Sequence, residues 1–173
     1  MMHQGDQKKQ VQMNLKKLSV EPKVNKILLS IKPKFVEEIK SGKKKFEYRK
    51  SIFKNPNIDI VVIYASAPIS KAIGEFKIKQ IIKDRPNKIW SLTKDKSGIT
   101  KDFFNEYFTS KAYAYAIEIE DFKLYNDPID ISTKYQLKAP QSFCYIKNQR
   151  VIIQRFYFSI LFSPAKPPLA KSP

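Results

Sequence analysis

The stretch Ile27–Lys50, ILLSIKPKFVEEIKSGKKKFEYRK, constrains this chain more than any other. Its β-branched, apolar opening, Ile27 to Ile31, predicts a buried strand. Pro33 suits the first turn of a helix, where its missing N–H costs nothing. Phe35, Val36 and Ile39 then fall on one helical face, and Gly42 stands where a C-terminal cap is expected. After Gly42 the pattern alternates, with Lys45, Glu47 and Arg49 on one face of a strand and Lys44, Phe46 and Tyr48 on the other. A short helix thus delivers a strand start crowded with opposite charges. Glu47 and Arg49, two apart on a strand, can face one cleft and pair, which pre-sets the guanidinium for a phosphate or base edge. A purely structural ion pair at the mouth of a barrel would use the same residues.

The remainder predicts mostly strands. Asp59–Ala65 is apolar enough for a central strand, and Ser66-Ala67-Pro68 makes a turn. Lys71–Ile82 reads as the next strand, in which Gly74 marks a bulge or a close backbone approach. Asn87–Thr93 reads as a helical turn in a surface connection carrying Trp90. Thr100 caps a second helix that holds Phe103, Phe104, Tyr107 and Phe108. Ala112–Glu120 alternates as a strand, and Ser142–Ile146 is a candidate closing strand. Interleaved strands and short helices predict an α+β fold with a mixed or antiparallel sheet.

Gly42, Lys44, Glu47 and Arg49 also reproduce the spacing G-x-K-x-x-E-x-R. That signature resembles the ASCH domain of the PUA-like superfamily. Val61–Phe76, Ile89–Trp90, the run Ser97–Phe108, Ala114–Ile117 and Pro140–Phe143 resemble, in order, a regulator-like branch of that family. The resemblance covers roughly residues 27–146 and implies a small PUA-like β-barrel with two or three short helices, the first leaning on one rim. It places the motif at the cleft. Regulator-like relatives often carry a helix-turn-helix domain, which the short leader here is not expected to hold. Other small members resemble amidohydrolases acting on a modified cytidine through a Lys, a Thr nucleophile and a Glu. Lys44 matches the Lys and Glu75 the acid, but Glu47 occupies the Thr position. A carboxylate cannot replace an activated hydroxyl nucleophile, so that reaction is not expected here. The resemblance also implies a ribonuclease as an alternative, with Lys and Glu as acid and base.

Charge and missing residue types narrow the partners. The chain has 33 Lys+Arg against 16 Asp+Glu, a formal net charge of +17, which favours polyanions. A Lys-rich composition bias would give the same excess. Lysines outnumber arginines, which suits phosphate contact better than bidentate base reading. His3 and Cys144 are the only histidine and cysteine, so a His-based triad, a Cys-rich zinc site and an intrachain disulfide are not expected. No cofactor or metal is expected, and the glycines form neither a dinucleotide fingerprint nor a P-loop. The N-terminus shows no secretory signal, so the expected setting is the cytoplasm.

Three segments are predicted. Residues 1–26 form a basic leader, in which Val11, Leu15 and Leu18 can line a short helix. Residues 27–150 form the domain, and residues 151–173 form an apolar, then Pro-rich, tail. The apolar run from Val151 to Phe162 is shorter than the ~20 residues a membrane helix needs. It is a candidate edge strand. The candidate nucleic-acid contacts are Lys44, Glu47, Arg49, Trp90, Gln141 and Ser142, and the candidate catalytic groups are Lys44, Glu47 and Glu75. Tyr48, Tyr64 and Phe143 can stack a base or simply fill the core. The readings left open are a binding module for RNA or a modified nucleotide, with DNA as a further partner and a regulatory role; a hydrolase or ribonuclease at the same cleft; and a protein-interaction module of a regulator.

Overall fold

The computed structural model describes residues 25–147. The expected leader helix and the expected tail strand lie outside the described residues. Among the described residues there are six strands and four α-helices. The strands are β1 (Lys26–Ile31), β2 (Phe46–Arg49), β3 (Ile60–Ala65), β4 (Lys71–Asp84), β5 (Ala114–Ile129) and β6 (Phe143–Ile146). The helices are α1 (Pro33–Lys40), α2 (Pro86–Thr93), α3 (Lys101–Tyr107) and α4 (Ile131–Tyr135), with a 3-10 turn at Lys94–Lys96.

The strands form one mixed sheet in the order β2-β5-β4-β3-β1-β6. Among the described residues β1 and β3 run parallel, with Leu28 opposite Val62, and the other strand pairs are antiparallel. The α+β expectation holds. Among the described residues no ladder joins β2 to β6, so the sheet they form is open.

The apolar runs of β1 and β3 are explained by burial on both faces. Ile27, Leu29, Ile31, Val61 and Ile63 enter a core with Phe76, Ile117 and the α1 residues Val36 and Ile39. Leu28, Val62 and Tyr64 face the opposite side, where Ile131 of α4 covers them. A third cluster joins Tyr48, Ala114 and Ala116 to Ile89 of α2, Phe104 of α3 and Phe108 at the α3 C-cap.

Pro33 and Pro86 each open a helix, after residues held extended by the proline ring. Gly42 (φ +75°) follows the cap of α1, and its N–H donates to the Ile39 carbonyl at 3.0 Å. The register shifts at Gly74, where an added Cβ would lie 2.5 Å from the Lys123 carbonyl oxygen. The close approach read from the sequence is therefore present.

Three expectations are corrected. Lys44 is not part of an alternating strand, because β2 begins at Phe46. The strand expected to end near Glu120 continues to Ile129, because Asp121 (φ +48°) kinks it without ending its pairing to β4. Trp90 sits on a two-turn helix, half-buried against Phe104 at 5.0 Å between ring centroids, not in a surface connection. Helix α4 had no sequence assignment. Asp130 caps it by accepting from the Ser132 and Thr133 N–H groups.

Candidate functional site

A cavity of about 310 Å³ opens where the end of β1, the start of α1, strand β2 and helix α3 converge. Lys44, Glu47 and Arg49 form its charged part, and Phe35, Tyr48, Phe103 and Tyr107 supply aromatic wall. Ser30, Ser66, Ile99 and Gln141 complete much of the rest.

Lys44 is 2% exposed, unusual for a lysine without close partners. Its Nζ lies 3.7 Å from Glu47 Oε2, donates to the Ser97 carbonyl at 3.2 Å, and sits 4.6 Å from the centre of the Tyr48 ring. Its backbone is pinned as well, since Lys44 N–H donates to the Glu38 carbonyl at 2.8 Å and Lys45 N–H to the Lys96 carbonyl at 2.8 Å. Gly98 (φ +63°) closes over the lysine stem, and a Cβ there would lie 2.5 Å from Lys44 Cβ. Only glycine combines that backbone conformation with that approach. Burial pushes the Lys44 ammonium below the usual lysine range, and the Glu47 carboxylate opposes the shift.

Arg49 is held from the other side. Its Nη1 lies 3.6 Å from Glu47 Oε1 and donates to the Ser30 carbonyl at 3.2 Å, while Nη2 donates to Ser142 Oγ. Ser30 N–H donates to the Ser142 carbonyl at 2.9 Å, and Ser30 Oγ donates to the Pro140 carbonyl at 2.6 Å. Arg49 therefore reaches from β2, at one edge of the open sheet, to the β1–β6 side. The cavity lies beside this bridge.

One carboxylate stands between two cations at distances longer than the ~2.7–3.2 Å of a hydrogen bond. With Lys44 protonated the trio carries one excess positive charge, and both cations retain donors beyond those used. Such a trio can receive an anion or a row of base-edge acceptors.

Tyr48 turns its hydroxyl inward, donating to Thr93 Oγ1 at 2.8 Å, and Thr93 donates on to the Ile89 carbonyl at 2.7 Å. Burial pushes the Tyr48 phenol up to about 12. The Tyr107 phenol is also raised by burial, against the pull of Arg49.

Lys44, Glu47, Arg49 and Gln141 thus meet in one cavity, and Ser142 touches it through Arg49. Glu75 is elsewhere, 2.9 Å from Lys26 Nζ and 3.0 Å from the Tyr125 hydroxyl. Trp90 belongs to the third core cluster and does not line the cavity. Tyr64 is core, and Phe143 packs edge-on against Phe53. Sequence reasoning missed Phe35, Phe103, Tyr107 and the Ser97–Gly98 clasp. The signal for two of them lay in the doubled aromatics of α3: Phe104 and Phe108 are buried, while Phe103 and Tyr107, also four apart, are half-buried and face the cavity. Among the described residues no three His, Cys, Asp or Glu side chains come together as a metal site. No helix among them is long and apolar enough to cross a membrane.

The ASCH domain model matches residues 29–123, more than half of the chain. The chain belongs to the ASCH domain family. Relatives of this ASCH protein include a Zymomonas mobilis protein named ASCH domain-containing ribonuclease, 25% identical over 132 residues that cover 74% of this chain and 88% of the relative. A Ureaplasma parvum protein named ATP synthase subunit alpha is 28% identical over 122 residues, 70% of this chain. The match spans only 15% of that relative's length. The crystal structure of ASCH from Zymomonas mobilis superposes with a TM-score of 0.66 at 23% identity, over 75% of this chain and 94% of that one. The ASCH fold is thereby established for this chain.

Proposed function

We propose that this ASCH protein binds single-stranded RNA, or a modified nucleotide within it, by taking one nucleotide into the cavity. The observation that carries the reading is the trio Lys44–Glu47–Arg49, almost fully buried beside an aromatic wall. Arg49 and Lys44 contact the phosphate or a base edge, Glu47 orients both, and the aromatic side chains take the base face. Burying a charged trio is costly, and a buried salt bridge is weak evidence for stability, so function is the better account. The net charge of +17 supplies salt-sensitive attraction, and the setting we assign is the cytoplasm.

The test is an RNA titration with Arg49→Ala, alongside melting of the same samples. Wild type should bind RNA, with log affinity falling linearly in log salt. Arg49→Ala should weaken binding about tenfold or more, as loss of a charged contact predicts. Absence of RNA binding at ~50 mM salt would overturn the proposal.

A second reading is favoured by the lowered affinity of Lys44 for its proton and by the ribonuclease name of the Zymomonas mobilis relative. In it, Glu47 takes the proton of the attacking hydroxyl and Lys44 protonates the leaving oxygen. RNA products that accumulate with wild type and vanish in a folded Glu47→Gln variant would establish turnover. Binding without products would leave a binding module.

A further inference from the structure

A second concavity, of about 830 Å³, opens at the start of α2 and the approach to β5. Its lining includes Arg85, Lys88, Lys111 and Tyr113 and contains no acidic residue. All four of these residues are exposed. Among the described residues no carboxylate pairs with the three cations. Strand β4 shows the contrast. Lys77 and Lys79 are held at 2.9 Å by Asp121 and Glu118. Past them the partners change. Lys83 Nζ lies over the rings of Tyr113 and Tyr115, 4.9 and 5.8 Å from their centres. The adjacent acid, Asp84, accepts from the Arg85 backbone N–H at 2.7 Å.

Strand register connects this concavity to the first cavity. Arg49 of β2 stands opposite Tyr115 of β5, and Tyr115 stands opposite Lys83 of β4. Cross-strand partners share a sheet face, so Arg49, Tyr115 and Lys83 form one row across three strands. Two inter-strand spacings make the row about 10 Å long. Exposure rises along it, from Arg49, 12% exposed, through half-buried Tyr115 to exposed Lys83. Lys83 ends the row over Tyr113, which lines the second concavity.

We propose that nucleotides flanking the one held in the cavity run along this row into the concavity of Arg85, Lys88, Lys111 and Tyr113, so that the protein holds a single-stranded RNA segment at two connected places. The inference rests on the RNA reading of the cavity. The three cations track phosphates, and the tyrosines offer faces on which bases stack irrespective of sequence. Unpaired cations interleaved with aromatic rings fit single-stranded nucleic acid better than an acidic protein, which needs no stacking faces.

The test uses the full chain and two probes, a dinucleotide and a single-stranded RNA of ~8 nucleotides, a length within the range of ordinary single-strand sites. In the triple variant Arg85→Ala, Lys88→Ala, Lys111→Ala the longer RNA should bind about tenfold more weakly or worse. The salt slope should shrink by about 2, at ~0.7 per lost phosphate contact. Dinucleotide affinity should not change. Tyr113→Ser should weaken the longer RNA several-fold on its own and leave melting unchanged. Unaltered affinity and salt slope for the longer RNA in the triple variant would overturn the proposal, as would poly-glutamate competing as well as RNA. Dinucleotide binding lost in Arg49→Ala, with no effect of the triple variant, would remove the second place and keep the cavity. No binding of either probe by wild type would remove both.

Discussion

Gly98→Ala should damage both stability and binding, and Gly42→Ala should damage stability alone. Both glycines have positive φ, +63° and +75°. An L-residue in that region costs roughly 1–2 kcal/mol. There the similarity ends. Around Gly42 nothing lies within 4 Å of an added Cβ. At Gly98 the added Cβ would meet Lys44 Cβ at 2.5 Å and its Cα at 3.0 Å. Forced overlap in a packed site adds about 1–3 kcal/mol, bringing Gly98→Ala to about 2–5 kcal/mol. For a domain of this size that lowers the melting temperature by roughly 5–25 °C. The strain falls on Lys44, whose ammonium is positioned by Ser97 and Glu47, so RNA affinity should fall as well. Thermal melting and RNA titration on both variants check the reasoning. Equal melting temperatures and equal affinities for the two variants would refute it.

Two further predictions follow from titration. Burial lowers the Lys44 pKa below the unfolded value of 10.5, so between the folded value and 10.5 the unfolded chain holds more protons. The Lys44 contribution therefore rises with pH across that window, and Lys44→Met should remove this rise from denaturation curves measured against pH. Tyr48 has the opposite sign: its folded value of about 12 exceeds the unfolded 10.0, so stability should fall between those values, by up to about 3 kcal/mol. Tyr48→Phe should remove the Tyr48 share of that fall and leave the share from Tyr107, whose phenol is raised as well, at a cost of about 1 kcal/mol at neutral pH from the lost bond to Thr93.

The sequence made the centre of the sheet legible because β1 and β3 are apolar on both faces and their ends are marked by Pro33 and the Ser66–Pro68 turn. It made the motif legible because charges cluster where a strand begins. The position of Lys44 was not legible, since its alternation with Phe46 and Tyr48 mimics a strand that starts two residues later. Long-range partners were hidden for a similar reason. Nothing local in Ser97-Gly98 announces a contact with Lys44 across 53 positions, and nothing in Ser142 announces Arg49. Glu75 fitted the candidate site by order along the chain, but Lys26 and Tyr125 hold it away from the cavity. The helical turn around Trp90 was legible, but its burial was not, since nothing local shows that α2 packs the ring onto Phe104.

Photo-crosslinking of single-stranded RNA carrying a photoreactive base, followed by peptide mapping on the full chain, shows whether a base enters the cavity. A base held in the cavity lies beside the rings that line it. Crosslinks should form at Phe103 and Tyr107 and disappear in Arg49→Ala while the protein stays folded. Crosslinks confined to exposed lysines outside the cavity, unchanged in Arg49→Ala, would rule out a base held there.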